Sequence, residues 1–523
     1  MTGLKYALLV IFAFSIVNNE GSRILAVFPT PSISHQVVFR PLIMELVKRG
    51  HEVVLITTDP VFKNEQGPAN LTEIDVHDVS YEIWRREFLT TTVTSGKKED
   101  SKGQISVVMD VMVKVLEKQM LVDEVQTMLK DKSQKFDLLI FEAYFVPLLA
   151  LSHLFKAPVI QISSLGAMEE NLQIVGAVSH PLLYPTFLHQ KVYDLSLWDK
   201  FAALYNEYNT NKVLNRFTQG CDEVLSRIFG VEIPPLQELK NNVDMLFLNT
   251  YPAWERNRPV PPNVLFVGGL HTKPEKELPK DLKTYLDSSK HGVIYISFGT
   301  NVEPALLPPH KIQAIINAVS KTPYDVLWKW NQDELPGRTS NIKISKWLPQ
   351  SDLLRHPKIK LFITQGGLQS TDEAILAGVP LIGMPMLGDQ WFNVEHYVFH
   401  KIGIKIDMDT ISEEKISKAI HTITKDDSYR QNVVRLRTLM YDQPQSSLER
   451  AVWWTEYVIR HSGARHLRAP AANMPWHQYL ELELVSYVVL GLLSVITLAI
   501  IVLSHLYKFV QKQAAFRIKV KGS

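Results

Sequence analysis

Short, unbroken apolar runs recur along this chain, and they predict β-strands that are buried on both faces. The clearest runs lie at 24–28, 52–57, 136–141, 159–162, 293–298 and 359–364. Between the first two, Val38, Leu42 and Leu46 recur at helical spacing, and Gly50 follows as a helix terminator. A strand, a helix and a strand in this order predict a parallel α/β sheet, because parallel neighbours need a crossover connection.

The order of these runs predicts two Rossmann-like domains. The first domain is expected over 23–271, a Pro-, Lys- and Glu-rich linker over 272–285, and the second domain over 286–470. A further helix is predicted at 107–129, and its charged residues argue against a membrane span. Without its apolar ends the chain keeps about 460 residues, which is enough for two or three domains.

An apolar segment lies near each end of the chain, and each one predicts a membrane-related function. Residues 1–22 combine Lys5 with an apolar run at 6–17, as secretory signal peptides do. Residues 484–506 carry no formal charge and are long enough to cross a bilayer. The tail at 507–523 is basic and contains no acid, so the positive-inside rule places it in the cytoplasm and the large domains in the lumen. We therefore expect a single-pass type I membrane protein.

Composition narrows the function further. The net charge is +2 and no basic cluster is interleaved with aromatic residues, so no nucleic-acid surface is expected. Cys221 is the only cysteine, which rules out an intramolecular disulfide. The histidines lack the paired spacing of metal ligands, and we expect no metal site. Asn70 opens the only glycosylation sequon, which predicts a glycan if its loop is exposed.

The most informative stretch is 347–390, which predicts a strand, a glycine turn, a helix and a second strand. Glycines at the turn, Gly366-Gly367, allow a backbone to come close to a phosphate. The N-terminus of the following helix carries partial positive charge, which favours an anion. Parallel sheets bind their ligands at the carboxyl ends of the strands. The stretch therefore predicts an anion site in the second domain.

This stretch resembles the donor-binding signature of the membrane-bound UDP-glycosyltransferases, the UDP-glucuronosyltransferase family. The resemblance rests on the spacing of Trp347, Gln350, Gly366-Gly367, Glu373, Gly378-Val379-Pro380, Pro385 and Asp389-Gln390. The variant QGGLQSTDEA, with Gln before the glycines, is most similar to insect members. The resemblance implies a GT-B fold, in which two Rossmann-like domains face a cleft, plus one C-terminal transmembrane helix. It also implies that the first domain binds the acceptor and the second binds the UDP-sugar.

The resemblance assigns the chemistry to two residues of the first domain. His35 matches the family's general base, and a neutral imidazole can take the proton of an acceptor hydroxyl. Its place at a helix N-terminus disfavours the imidazolium form. Glu142 stands where the family usually has Asp, which orients the base and stabilises its charged form. From position alone, His35 could instead cap a helix and Glu142 could be a loop carboxylate.

The other candidate residues are expected to hold the donor. Trp347 and Gln350 match uracil-binding positions, although Trp347 could also be a core aromatic and Gln350 a polar loop residue. Glu373 matches the carboxylate that binds the ribose, but Ser370 and Glu373 also fit a capping box. Asp389 and Gln390 match the pair that bonds the sugar hydroxyls. Further donor contacts, mostly to phosphate, are expected from Arg258, Ser297, Gly299, Thr300, Gln365, Gly367, Gln369 and Ser370.

These residues together predict an inverting transferase that moves glucose or glucuronic acid from UDP to a hydroxyl of a small lipophilic acceptor, as in detoxification. No metal or other cofactor is expected beyond the UDP-glucose or UDP-glucuronate co-substrate, and homo- or hetero-oligomers stay open. Lys519 and Lys521 fit a KxKxx signal, which predicts retrieval to the endoplasmic reticulum. Two other functions remain open, namely a catalytically silent membrane partner and a luminal lipophile-binding protein with the same fold.

Overall fold

The computed structural model describes residues 21–63, 65–89, 101–229 and 233–521. The predicted signal peptide lies outside the described residues except for its last two positions. The chain divides into two compact units, one up to Ala469 and one from Pro470 onward. Both predicted Rossmann-like domains fall within the first unit.

The first unit is built around two sheets in which all the neighbouring strands run parallel. The first sheet has the order β3-β2-β1-β4-β5-β6-β7 and the second has the order β10-β9-β8-β11-β12-β13. The strands are β1 (Arg23–Phe28), β2 (Glu52–Thr57), β3 (Leu71–Asp75), β4 (Leu138–Glu142), β5 (Val159–Ser163), β6 (Val243–Leu248), β7 (Val264–Phe266), β8 (Val293–Ser297), β9 (Asp325–Lys329), β10 (Ile342–Ser345), β11 (Ile359–Thr364), β12 (Leu381–Gly383) and β13 (Gly403–Lys405).

Helices cover the sheets and carry several of the candidate residues. In the described residues they are α1 (Ile33–Lys48), α2 (His77–Trp84), α3 (Ser101–Met120), α4 (Asp123–Lys130), α5 (Ala150–Phe155), α6 (Glu169–Val175), α7 (Leu197–Phe229), α8 (Leu236–Leu239), α9 (Lys280–Ser288), α10 (Pro309–Ser320), α11 (Gln350–Leu354), α12 (Leu368–Ala377), α13 (Gln390–Phe399), α14 (Glu413–Lys425), α15 (Ser428–Tyr441), α16 (Ser447–Arg460), α17 (Trp476–Tyr479) and α18 (Leu482–Lys521).

The predicted strands agree with the observed ones to within two residues, because their apolar runs are buried inside the sheets. The helix predicted at 107–129 is instead two helices, α3 and α4. The chain breaks at Val122, which is extended, and Asp123 and Glu124 begin the new helix, where acidic residues favour the N-terminus. Within the predicted linker, residues from Lys280 onward are helical, so the irregular connection ends at Pro279.

Helix α16 returns to the first sheet late in the chain. Its residues Ala451, Val452 and Val458 belong to the same buried cluster as Ile24 and Phe28 of β1. The last helices of the first unit therefore complete the core of the first sheet. The sequence alone could not show this return, because it depends on contacts between residues about 430 positions apart.

The second unit contains α18, whose residues Leu482–Arg517 are long and apolar enough to cross a membrane. Side chains of this segment are exposed throughout, since nothing in its own unit covers them. The segment includes the predicted span at 484–506.

Candidate active site

His35 and Glu142 are brought together by the pairing of β1 with β4. His35 lies in the first turn of α1, just after β1, and Glu142 is the last residue of β4. Because β1 and β4 are parallel neighbours, their carboxyl ends meet at the same edge of the sheet. The Nδ1 atom of His35 lies 2.7 Å from Oε1 of Glu142, although 107 residues separate them in sequence.

Two further groups hold this pair in place. The backbone N–H of Thr30 donates to Oε2 of Glu142 at 3.2 Å, and the Ser164 hydroxyl lies 2.9 Å from Nδ1 of His35. The Glu142 side chain is fully buried, whereas 17% of the His35 side chain is exposed. Because Nδ1 is engaged by Glu142 and Ser164, Nε2 is the ring atom that remains for a substrate. The arrangement is suited to a histidine base oriented by a carboxylate.

His35 stands at the polar side of a large apolar cavity. The cavity encloses an empty volume of about 1120 Å³, which includes space open to solvent. Its apolar lining consists of Trp84, Phe88, Ile105, Val108, Met109, Met112, Leu165, Met168, Phe187, Leu188, Leu387 and Trp391. Asn301, Asp389 and Gln390 reach the same cavity from the second sheet. None of the described residues that line it is Lys or Arg.

Gln350 is the centre of a polar cluster beside the second sheet. Its Nε2 donates to Ser370 Oγ at 2.9 Å and to Glu373 Oε2 at 2.7 Å, and its Oε1 accepts from the Tyr295 hydroxyl at 3.0 Å. Burial raises the pKa of Glu373 above its ordinary value. The capping-box alternative for Ser370 and Glu373 is wrong, because α12 begins earlier and its N-cap residue is Gly367. The Glu373 carboxylate therefore lies among hydrogen-bonding side chains.

Trp347 is 67% exposed, so the alternative that it belongs to the core is wrong. The Nζ atom of Lys329 lies 4.7 Å from the centroid of its ring and also donates to the backbone oxygen of Gly299 at 2.9 Å. Desolvation lowers the pKa of this lysine. The sequence did not point to Lys329, because a lysine at the end of a strand has no distinctive spacing.

The glycine turns are packed more tightly than any side chain would allow. Gly366 has a φ of +93°, and a Cβ there would lie 2.5 Å from Val394. A Cβ at Gly299, whose φ is +77°, would lie 2.2 Å from Nε2 of Gln365. The Gln365 side chain lies against Gly299 and Val394 lies against Gly366, and with the positive φ at each position this explains why both turns need glycine.

The residues that border Gly299 are placed differently. Ser297 is buried at the end of β8, and its hydroxyl is 3.4 Å from the backbone N–H of Gly299. Thr300 is exposed. Ser297 ends β8 and Thr300 follows it, and β8 pairs with β11, the strand that leads into the glycine turn at Gly366-Gly367.

Asp389 and Gln390 line the cavity close to the glycine turn at Gly366-Gly367. Oδ2 of Asp389 accepts from the backbone N–H of Leu368 at 3.1 Å and from Asn393 Nδ2 at 2.6 Å. Burial raises the pKa of Asp389 to about 6, although these hydrogen bonds act in the opposite direction. Oε1 of Gln390 accepts from the backbone N–H of Met386 at 2.8 Å. Asp389 thus sits at the start of α12 while lining the same cavity as His35.

Arg258 is not placed to meet a phosphate, which corrects the sequence prediction. Only 1% of its side chain is exposed. Its guanidinium donates to the backbone oxygens of Val178 at 3.1 Å and Pro185 at 3.0 Å, and it lies 3.5 Å from Glu255. These buried partners engage both terminal nitrogens of the guanidinium, so Arg258 fixes loops in the half of the unit that carries the first sheet.

Contacts between the two sheets' halves complete the site, and the sequence missed them. Gln369, a predicted donor contact, donates through Nε2 to the backbone oxygen of Ser164 at 3.1 Å. Asn301 donates to the hydroxyl of Ser32 at 3.1 Å. Asn393 accepts from Trp254 Nε1 at 2.9 Å. No short-range pattern could reveal these pairs, because each joins residues more than 100 positions apart.

Comparison with known proteins identifies the family. The model of the UDP-glucoronosyl and UDP-glucosyl transferase family matches residues 23–518. The chain belongs to this family. It is therefore a UDP-glycosyltransferase, a hexosyltransferase, which confirms the family and the enzyme class predicted from the 347–390 stretch.

Named relatives cover nearly the whole chain. An ecdysteroid UDP-glucosyltransferase of Spodoptera littoralis nuclear polyhedrosis virus is 35% identical and covers 92% of this chain and 96% of its own. UDP-glycosyltransferase UGT5 of Dactylopius coccus is 32% identical and covers 91% and 90%. Human UDP-glucuronosyltransferase 2B17 is 30% identical and covers 88% and 89%. This UDP-glycosyltransferase thus resembles glucosyl and glucuronosyl transferases alike.

Solved structures confirm the GT-B fold. The calicheamicin glycosyltransferase CalG4 aligns with a TM-score of 0.56 at 18% identity, over 84% of this chain and 98% of its own. Arabidopsis thaliana UGT89C1 aligns with a TM-score of 0.57 at 15% identity, over 84% and 100%. At these identities the likeness extends to the fold alone.

Proposed function

We propose that this UDP-glycosyltransferase moves glucose, with inversion, from UDP-glucose to a hydroxyl group of a small lipophilic acceptor, in a detoxification-type conjugation. The observation that carries the proposal is the 2.7 Å contact between His35 Nδ1 and Glu142 Oε1 at the edge of the apolar cavity. Burying a lipophilic molecule against such a lining lowers its free energy, and His35 is the base that lies beside its hydroxyl group.

The proposed reaction is a single displacement. Nε2 of His35 takes the proton of the acceptor hydroxyl while the oxygen forms a bond to the anomeric carbon of the sugar. The bond from that carbon to the phosphate oxygen breaks, and UDP leaves with the bonding electron pair. The Glu142 carboxylate stabilises the imidazolium that forms, and the N-terminus of α12 faces the charge left on the phosphate. We propose that no metal takes part, because backbone N–H groups and side chains can meet that charge.

The charges around the cavity favour glucose over glucuronic acid. A uronate carboxylate needs a cationic partner, and the described lining residues include no Lys or Arg. The Asp389 carboxylate would also repel the carboxylate of a glucuronic acid bound in this cavity. In the proposed donor site, Trp347 stacks on uracil, Gln350 and Glu373 hold the nucleoside, and the turn at Gly366 faces the diphosphate.

The relatives indicate which acceptors to test first. One viral relative is named an ecdysteroid UDP-glucosyltransferase, so polyhydroxylated steroids are the first candidates for the cavity. Phenols form a second class, since their hydroxyl is more acidic and needs less help from His35. The size and apolar character of the cavity suit both classes.

The decisive experiment measures UDP release by the full chain in microsomes. UDP-glucose and UDP-glucuronate are each offered with ecdysteroids, other steroids and phenols. We expect acceptor-dependent UDP release with UDP-glucose, and NMR of the product should show a β-glucoside made from the α-linked donor. A silent partner or a lipophile carrier would release no UDP with any acceptor. Preference for UDP-glucuronate would refute the argument from charge.

We further propose that α18 anchors the protein in the endoplasmic-reticulum membrane, with the first unit in the lumen. Its length and apolar surface suit a bilayer span, and the segment beyond residue 507 is basic. Protease added to intact microsomes should remove an epitope placed after Ser523 and spare the first unit. A protected epitope would contradict this topology. The Lys519 and Lys521 side chains lie outside the described residues, so retrieval stays a prediction that Lys-to-Ser changes would test.

The hydrogen bonds of the Asn70 side chain argue against its glycosylation in the folded protein. Its Nδ2 donates to the backbone oxygens of Val47 and His51, each at 2.8 Å, and the residue is half-buried. Both amide hydrogens are used, so we propose that the sequon remains unmodified. Digestion with an endoglycosidase should leave the mobility of the protein unchanged.

A further inference from the structure

The first three turns of α7 expose an apolar stripe. The stripe consists of Leu197, Trp198, Phe201, Leu204, Tyr205 and Tyr208, which we call the α7 stripe. Their exposed fractions run from 47% for Leu204 to 80% for Trp198. Positions 197, 201, 204 and 208 recur at the spacing of one helix face, and Trp198 and Tyr205 widen that face on one side.

Within and just after these turns, the helix buries small and polar side chains, which reverses the usual pattern of a surface helix. Ala203, Asn209 and Thr210 are buried, whereas the large aromatic residues point away from the unit. Later turns of α7 fix this orientation. Leu214 packs with Ile105 and Met109 of α3 in a separate apolar cluster. The exposed stripe is therefore held outward by the packing of the rest of the helix.

Neither residues 90–100 of this chain nor a second copy of the chain is well suited to cover the stripe. No described residue covers it, and residues 90–100 read TTTVTSGKKED, with a single apolar side chain. A second copy of the chain would need more area than the stripe offers. The stripe has six side chains, whereas a stable interface involves about 20–30 residues on each partner.

A lipid surface fits the stripe better. Trp and Tyr favour the interface of a bilayer, and Leu and Phe enter its outer acyl region. At the start of the helix, Lys191 pairs with Asp199 at 2.7 Å, whereas Lys200 and Lys212 are exposed beside the stripe and can face lipid phosphates. A tethered domain also needs little affinity, because the tether keeps its local concentration at the membrane high.

We propose that the α7 stripe lies in the interfacial region of the bilayer in which α18 is anchored. The proposal rests on the anchoring proposed above. The stripe is a second membrane contact, made by the first unit itself, and neutral lipid is sufficient for it. It holds the first unit at the bilayer surface rather than leaving it free at the end of its tether.

The test places one fluorescent probe at a time on the full chain in phosphatidylcholine nanodiscs that contain a doxyl-labelled quencher lipid. Tyr205→Cys carries a nitrobenzoxadiazole probe on the stripe, and Asn206→Cys carries it on the adjacent, exposed position outside the stripe. Val495→Cys reports the anchor separately. Background labelling is low because Cys221 is 2% exposed and burial raises the pKa of its thiol to about 12.

We expect several-fold stronger lipid quenching at position 205 than at 206 in the neutral lipid. Equal quenching at the two positions would overturn the proposal, and quenching at 495 would then show that the anchor stands without it. Unquenched but blue-shifted emission at 205 that depends on protein concentration would indicate self-association and would overturn it too. A probe at Phe201→Cys repeats the measurement without changing Tyr205. If position 495 is unquenched, the anchor fails, and quenching at 205 still decides on the stripe.

Discussion

In the half of the site beside the second sheet, Gln350 binds Ser370 and Glu373 directly, whereas beside the first sheet one polar pair, His35 and Glu142, faces an apolar cavity. Both halves are built on parallel sheets, so the difference lies in what their loops present. The half beside the second sheet, the proposed donor half, holds its hydrogen-bonding groups in advance. The half beside the first sheet, the proposed acceptor half, offers volume and one base.

The contrast follows from what each half has to recognise. Hydrogen bonds discriminate strongly between ligands, because a buried polar group left unpaired costs free energy. A nucleotide offers many polar groups that can form such bonds. Apolar burial discriminates weakly between molecules of similar size. A site that accepts varied lipophilic molecules with one fixed donor is therefore expected to have this asymmetry. The following predictions test it, beginning with the largest expected effect.

Replacing His35 should separate the two halves most clearly. His35→Ala removes the base, and turnover should fall by ~10²–10⁴. Donor binding should be unchanged, since Gln350 and Glu373 keep their contacts. Turnover and calorimetric UDP affinity measure the two effects, with His153→Ala, outside the cavity, as the matched control. Near-normal turnover would contradict the assigned base.

Glu142 tests how the base is oriented. Glu142→Gln keeps the shape but loses the charge that stabilises the imidazolium, so kcat should fall by ~10²–10³ while KM for the donor stays constant. Glu142→Asp should keep part of the activity, because its carboxylate is shorter by one methylene. Exposed Glu124→Gln is the control. A Gln variant with full turnover would leave His35 oriented by Ser164 alone.

Asp389 should make stability depend on pH. Its raised pKa means that the fold favours the protonated form, so its stabilising contribution is complete below the unfolded-state value and is lost as the pH rises through about 6. Asp389→Asn cannot ionise. The variant should therefore gain stability relative to the parent between pH 4 and pH 7, by up to about 3 kcal/mol.

Thermal melts of the full chain at pH 4.5 and pH 7.5 measure this difference. Asp333→Asn is the control, because the Asp333 side chain is 88% exposed. A gap between Asp389→Asn and the parent that is equal at both pH values would show that Asp389 is as easily ionised in the fold as in water.

Glu373 should affect the donor half only. Glu373→Gln weakens the hydrogen bond from Gln350 and the proposed contact to ribose, which costs about 1.5 kcal/mol and raises KM for UDP-glucose by ~10-fold. Turnover at saturating donor should change little. Exposed Glu334→Gln serves as the control. A fall in kcat without a change in KM would move Glu373 from donor binding to another role.

The motif of the proposed donor half could be predicted best, because its residues lie in one continuous stretch, whereas Lys329 outside that stretch was missed. The strand at 359–364, the glycine turn and the helix behind it are local features, so spacing alone fixed their relation. The capping-box alternative for Ser370 and Glu373 is wrong because α12 starts at Leu368, where Gly367 is the N-cap residue. Arg258 was misjudged because chain position carries no information on burial.

Sequence by itself determined the positions of the main buried strands, the long apolar segment near the C-terminus and the motif at 347–390, since these follow from periodicity and short-range spacing. Only the tertiary structure decided that Glu142 reaches His35 and that the stripe of α7 faces outward. The physical reason is the same in both cases. Such contacts join residues far apart in the chain, and which face of an element is buried depends on partners that the local sequence does not contain.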